Sequence, residues 1–270
     1  MSPDLDCKRC GGHGYTTLPD GRHAKAELCT CRSPCPECKD DLRVVERRED
    51  GRVYVTPCAC TGLRKRIARY RAAGIPAAFH GKTVEQLQAR TKEEQAVKRW
   101  LLDFQGGGAP GSKGLLLVGN PGVGKTHALC GLLRFLSLER GLEARYVDSF
   151  QLLHDLKVAF DQDSGSAEIM EVFCRVPFLA LDELGKTRPE GWQHQVLDQI
   201  VSRRYDANLT TFVATNYGLP GGPEAPLQSP REDLGLRETL DRRVGARIFS
   251  RLMERCRPFI LTGQDRRLAG

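Results

Sequence analysis

No stretch of this sequence approaches the roughly eighteen consecutive apolar residues that a membrane-crossing helix needs. A secretory leader is not expected either, because the sequence opens with MSPDLDC, acidic where a leader would be basic and then apolar. Aromatic residues nowhere form a repeated pattern on which successive bases could stack. After residue 60 cysteine becomes scarce, and Cys130, Cys174 and Cys256 stand alone. These absences exclude a membrane span and a secreted disulfide scaffold, and they predict a cytoplasmic protein with no membrane partner. What is present fits that setting. A length of 270 residues with 40% apolar content suits one well-buried domain and a smaller appendage. A formal charge of +7 is too modest to identify a partner, so charge carries weight only where it clusters.

Eight of the eleven cysteines fall within the first 60 residues, as Cys7-x-x-Cys10, Cys29-x-Cys31, Cys35-x-x-Cys38 and Cys58-x-Cys60. This is an internal repeat. Eighteen residues separate the pairs of the first unit and nineteen those of the second, and each gap holds an Asp-Gly dipeptide, Asp20-Gly21 and Asp50-Gly51. Asp-Gly between strand-like segments marks a hairpin, which would return each C-x-C to its own C-x-x-C and gather four thiolates around one ion. Two structural zinc ions follow, since four thiolates close the shell that a catalytic zinc leaves open. A second pairing stays open, in which Cys29, Cys31, Cys35 and Cys38 share one ion and the outer four hold the other. His13 and His23 read as surface residues with ligation as the alternative. The three isolated cysteines read as small core residues.

Beyond the last of these cysteines, LRKRIARYRAAGIP places Arg64, Lys65, Arg66, Arg69 and Arg71 within eight residues, helical until Gly74 and Pro76 stop it. The cations surround the helix, as on a solvated helix, with phosphate contact the functional alternative. A second helix from about Lys92 to Phe104 leads through the glycine-rich loop QGGGAPGSKG into the remainder. The expected organisation is 1–62 cysteine-rich, 63–110 basic helix and linker, and 111–270 nucleotide-binding core.

That core announces itself at GNPGVGKTH, residues 119–127, between the apolar run LLLV and the helical HALCGLLRFLSLE. Gly119, Gly122 and Gly124, with Asn120, Pro121 and Val123 between them, form a loop whose backbone N–H groups can turn toward phosphate. Lys125 would reach the outer phosphates and Thr126 would ligate magnesium. Downstream, FLALDELG at 178–185 ends an apolar strand in Asp182, for the magnesium shell, and Glu183, a candidate general base. TTFVATN at 210–216 ends in Asn216, placed to orient water or contact the terminal phosphate. Strands near 115, 145, 178, 211 and 259 alternate with helices, which predicts an α/β fold with a five-stranded parallel sheet covered on both faces. The last helix, RRVGARIFSRLMERCR, puts Ile248, Leu252 and Cys256 on one face and Arg247, Arg251 and Arg255 in a stripe, either solvated or reaching a phosphate.

Together these segments resemble the AAA+ ATPases of the DnaC and DnaI helicase-loader family, with the IstB transposition helpers nearby. GNPGVGKTH, including His127, resembles the family's first ATP motif, and LALDELGK its second. VLDQIVSRRYDANLTTFVATNY resembles the family's helix and sensor strand, and ARIFSRLMERC with LTGQDRR its closing helix and strand. The resemblance implies ATP hydrolysis with magnesium, Asn216 as sensor, Arg251 as an arginine finger acting on a neighbouring subunit, and a matching arginine at Arg204. It further implies ATP-dependent self-association and single-stranded DNA as a partner. A hexameric replicative helicase would be held by the double zinc-ribbon-like N-terminal domain, which is unlike the helices expected of IstB proteins. A transposition helper, or a zinc-based adaptor with a vestigial ATPase, are the other classes in play. The chain closes soon after GQDRR, where many AAA+ proteins add a helical lid.

Overall fold

The computed structural model describes residues 5–162, 165–186, 190–221, 238–263 and 265–266. Most of the proline-rich segment GLPGGPEAPLQSPRE noted in the sequence lies outside these described residues. Two antiparallel hairpins come first, β1 (Tyr15–Asp20) with β2 (His23–Leu28) and β3 (Arg43–Arg47) with β4 (Val53–Pro57). Each turns at its Asp-Gly, directly across the Asp20↔His23 pair in the first and beyond the Arg47↔Val53 pair in the second. The basic segment forms α1 (Thr61–Ala72). A helix α2 (Lys92–Gly107) follows, entered through a capping box in which Thr91 and Glu94 satisfy each other's backbone N–H.

The remaining strands, β5 (Gly114–Gly119), β6 (Ala144–Asp148), β7 (Phe178–Asp182), β8 (Thr210–Thr215) and β9 (Cys256–Leu261), form one parallel sheet in the order β6-β7-β8-β5-β9. All five expected strands are there. The inner strands β5, β7 and β8 are buried along their whole length, which explains their near-continuous apolar runs. Alternation then divides the core in two. Leu115, Leu117, Phe178, Ala180, Phe212 and Ala214 face α1, α2 and α3 (Lys125–Leu138). Leu116, Val118, Leu179, Leu181 and Val213 face the other layer, α4 (Ser149–Asp161), α5 (Ser166–Arg175), α6 (Trp192–Asp206), α7 (Leu240–Val244) and α8 (Ala246–Arg255). Cys130, Cys174 and Cys256 are buried in these two cores.

One boundary differs from expectation. Cys256 opens β9 rather than ending the last helix. Pro258 accounts for it, because proline cannot donate into a helix and steers the preceding Arg257 to extended backbone.

Arg204 on α6 is 1% exposed. Its guanidinium donates to Thr211 Oγ1, Phe173 O, Val176 O and Thr210 O, tying the end of α5 and the start of β8 together. Burial lowers its pKa to about 9, so the group remains a cation at neutral pH, held by carbonyl and hydroxyl dipoles. Arg204→Met is expected to cost about 3–5 kcal/mol, because it strands four buried acceptors. Thermal unfolding should show a midpoint lower by roughly 10 °C; an unchanged midpoint would exclude this structural role.

Candidate functional site

The phosphate-type loop links the end of β5 to the start of α3. Gly122 and Gly124 have φ of +77° and +100°, and Gly124 is the residue that caps α3 in left-handed geometry. The turn aims the first N–H groups of α3 at the space above the sheet, where the helix dipole favours an anion. Lys125 is buried, with Nζ donating to Gly119 O at 2.7 Å, Asn120 O at 2.8 Å and Asn216 Oδ1 at 2.7 Å. Val123 is buried beneath the loop while Pro121 is exposed on it.

Asp182, 1% exposed at the end of β7, accepts from Thr126 Oγ1 at 2.7 Å and Tyr146 Oη at 2.8 Å through Oδ2, and from the Glu183 N–H at 2.9 Å through Oδ1. Burial and the Asp182 charge both raise the Tyr146 pKa, so the phenol stays a proton donor. Glu183 adopts φ +54°, rare for a residue with a side chain, and Ser149 Oγ donates to its carbonyl at 2.9 Å. Its carboxylate lies 3.4 Å from Asn216 Nδ2 and 3.8 Å from Lys186 Nζ. Lys125, Thr126, Asp182, Glu183 and Asn216 thus converge from two strand ends and one helix start. Thr126 and Asp182 offer the hard oxygen donors that magnesium takes.

His127 turns elsewhere. Its Nε2 is 2.9 Å from Thr83 O, and burial lowers its pKa, so the ring pins the linker to α3 rather than meeting Lys125. Arg251 has its partners on α6, at Asp198 Oδ1 (3.4 Å), Ser202 Oγ and the Tyr205 ring. Neither is brought to the cluster around Asp182. Sequence reasoning had not singled out Tyr146, Ser149, Glu94, Asp265 or Arg266. Arg266 donates its N–H to Gly122 O at 3.3 Å, its guanidinium to Gln88 O at 2.9 Å and also to Glu94, while Asp265 packs on Gly122. Tyr146 lay in an expected strand, yet only the register of β6 beside β7 brings its hydroxyl to Asp182. No spacing rule carries that information.

Away from this cluster, the eight cysteines gather as Cys7, Cys10, Cys29, Cys31 and as Cys35, Cys38, Cys58, Cys60, each set with sulfurs within 4.8 Å of one another. The alternative sharing of Cys29, Cys31, Cys35 and Cys38 is not adopted, because each hairpin closes on its own unit. Sulfur pairs at 3.8, 3.6, 3.6 and 3.4 Å are compatible with zinc, whose tetrahedral bonds of about 2.3 Å set sulfurs about 3.8 Å apart. Backbone N–H groups of Cys10 and Arg9 lower the Cys7 thiol to about 7, and that of Cys38 does the same for Cys35, whereas burial and side-chain hydrogen bonds raise the Cys58 and Cys60 thiols. Neither His13 nor His23 joins a set.

The loop, the acidic strand end and the sheet order define a P-loop nucleotide-binding protein of the AAA+ fold. The sequence profile described as IstB-like ATP binding protein matches residues 64–220, more than half of the chain, and the chain belongs to that family. Among its relatives is the uncharacterized protein YqaM of Bacillus subtilis (strain 168), 24% identical over 77% of this chain and 63% of that protein. The replicative helicase loader DnaC of Escherichia coli (strain K12) is 27% identical over 48% of this chain and 50% of its own. The putative ATP-binding protein of insertion sequence IS5376 from Geobacillus stearothermophilus is 29% identical over 34% and 36%. The matched region therefore spans between about a third and two-thirds of these relatives' lengths. Among solved structures, DnaI superposes with a TM-score of 0.56 at 25% identity over 71% of this chain and 93% of its own. The DnaC helicase loader superposes with 0.58 at 24% over 68% and 99%, a likeness of fold. No helix among the described residues is long and apolar enough to cross a membrane.

The two cysteine units should differ in what they need from their sulfurs. The first hairpin packs Tyr15, Ala24 and Ala26 into the large core, whereas the second has only its four cysteines with Leu42 and Val44. Substituting Cys38→Ser and Cys60→Ser together is expected to abolish amide protection across 43–57 and leave that of 15–28 intact, as read by hydrogen exchange. Equal loss in both hairpins would show that they fold as one unit.

Proposed function

We propose that the chain is an ATP-hydrolysing loader of a replicative hexameric helicase, working on single-stranded DNA in the cytoplasm. The observation that supports it most is the convergence of Lys125, Thr126, Asp182, Glu183 and Asn216 on one point above the phosphate loop. The residues of GNPGVGKT cradle the triphosphate through backbone N–H groups, and Lys125 exchanges its carbonyl partners for phosphate oxygens. Thr126 and Asp182 would hold magnesium, which neutralises phosphate charge when bound. Glu183 takes the proton of the attacking water as its oxygen bonds to the terminal phosphorus and the bond to the bridging oxygen breaks. Asn216, between Lys125 and Glu183, orients that water. Arg251 acts on the ATP of a neighbouring subunit, so hydrolysis follows self-association. Two zinc ions hold the N-terminal units, residues 1–62, which grip the partner.

A second reading has a specific observation behind it. The family and the insertion-sequence relative both favour a transposition helper of IstB type, which would bind a transposase and assemble on duplex DNA.

Glu183→Gln is expected to keep ATP affinity within about twofold and to lower turnover by roughly 10²–10⁴ in the assembled state. Turnover at the original rate would remove Glu183 as the base. To separate loader from helper, the protein is mixed with its host's replicative helicase, with and without ATP, and the mass is measured by size exclusion with light scattering. A discrete complex is the expected result; folded, metal-loaded protein that forms none in any nucleotide state would transfer the reading to the transposition helper.

A further inference from the structure

The two cysteine units are repeats whose equivalent faces meet different surroundings. Counted back from the first cysteine of each C-x-C, Ala24 and Ala26 of β2 correspond to Val53 and Val55 of β4. Ala24 and Ala26 are 1% and 0% exposed, because α1 lies along β2 and packs Leu63, Ile67 and Tyr70 into the same cluster. Val53 and Val55 are 54% and 57% exposed, and the cross-strand Val45 is 62% exposed. Among the described residues, the extensive contacts of β4 are with β3 alone. The opposite face of this hairpin carries Val44, which packs on the cysteine cluster, so the valine face is not needed for the unit's own core. Arg43 and Arg47 flank the valines on the same side, since they pair with Pro57 and Val53 across the ribbon. Contiguous exposed β-branched residues on a two-stranded ribbon are a feature that soluble monomers avoid unless a partner covers them.

We propose that this face, Val45, Val53 and Val55 between Arg43 and Arg47, is a docking surface for an amphipathic helix of a partner protein whose apolar stripe is bordered by acidic residues. The internal repeat supplies the helix: the equivalent face of the first unit is covered by α1 in just this way. The arginines supply the charge. A second copy of this chain is disfavoured as the source, because its α1 would bring Arg64, Lys65, Arg66, Arg69 and Arg71 toward two further arginines. Nucleic acid is disfavoured because the centre of the face is aliphatic and offers no ring to stack on a base. The proposal rests on the reading that residues 1–62 hold a partner protein, and it assigns the contact to the second hairpin.

The test compares full-length protein with two multiple variants, using the host's replicative helicase as ligand and titration calorimetry as readout. Val45→Thr, Val53→Thr and Val55→Thr together keep β-branched side chains, and thus strand preference, while removing the apolar surface. Arg43→Glu with Arg47→Glu reverses the flanking charge. Each is expected to weaken the complex at least tenfold with ATP affinity and hydrogen-exchange protection of 43–57 unchanged, and the arginine variant also to flatten the salt dependence. A wild-type complex whose Kd is the same in both variants would overturn the docking face and leave the partner reading standing. A wild-type protein that forms no complex would overturn both.

Discussion

Everything at the nucleotide end of the sheet depends on one buried carboxylate. Asp182 is removed from water at the tip of a central strand, and a charge placed there costs several kcal/mol unless donors surround it. Three do, each from a different part of the chain: the Thr126 hydroxyl at the start of α3, the Tyr146 phenol at β6 and the Glu183 N–H. These contacts make the loop, the edge strand and the acidic pair mutually dependent. The Asp182 bond to its neighbour's N–H accompanies the left-handed turn at Glu183, and Ser149, at the start of α4, donates to the carbonyl of the same residue. Backbone strain of that kind persists only where surrounding contacts determine it, and here it directs the Glu183 carboxylate toward Asn216.

The N-terminal region follows a different constraint. Of two hairpins of similar length and ligand spacing, the first lies on α1 and the second does not, and they differ in side-chain size on the equivalent face. Alanine at 24 and 26 lets the helix approach β2 closely, while valine at 53 and 55 leaves a broader, bare surface. A two-stranded ribbon has little core of its own, so the first unit draws stability from the ATPase fold and the second from its sulfur cluster. The repeat thus contains one unit packed into the large core and one whose valine face is exposed.

Much of this was legible in the residues alone. The five strands and the loop follow from local signals, apolar runs of strand length and glycines at fixed offsets, while the Asp-Gly turns made the observed cysteine sets one of two groupings that the spacing left open. Information that depends on which strands are neighbours was not legible. Tyr146 reaches Asp182 only because β6 lies beside β7, and Arg266 reaches Gly122 and Glu94 only because β9 lies beside β5. Arg204 shows the same limit in another form. The resemblance matched it to a family arginine without giving it a role, and tertiary packing buries it among carbonyls, a cage that no periodicity announces.

Magnitudes bear on the proposed role of Arg251. At home it is held by Asp198 and Ser202, with the arginine and the aspartate each about a fifth exposed. Partly solvated pairs of this kind are worth about 1 kcal/mol or less. An arginine that completes a neighbour's phosphate site contributes about 10³–10⁵ in rate, equivalent to roughly 4–7 kcal/mol in the transition state. Under the proposed role, a tether of this size would hold the guanidinium on α6 in the free subunit and oppose its transfer to a neighbour's ATP only weakly. Asp198 serves two arginines, since Arg247 lies 3.5 Å from the same oxygen. On that proposal, release of Arg251 would leave a carboxylate that Arg247 still neutralises, which keeps the cost of the transfer small.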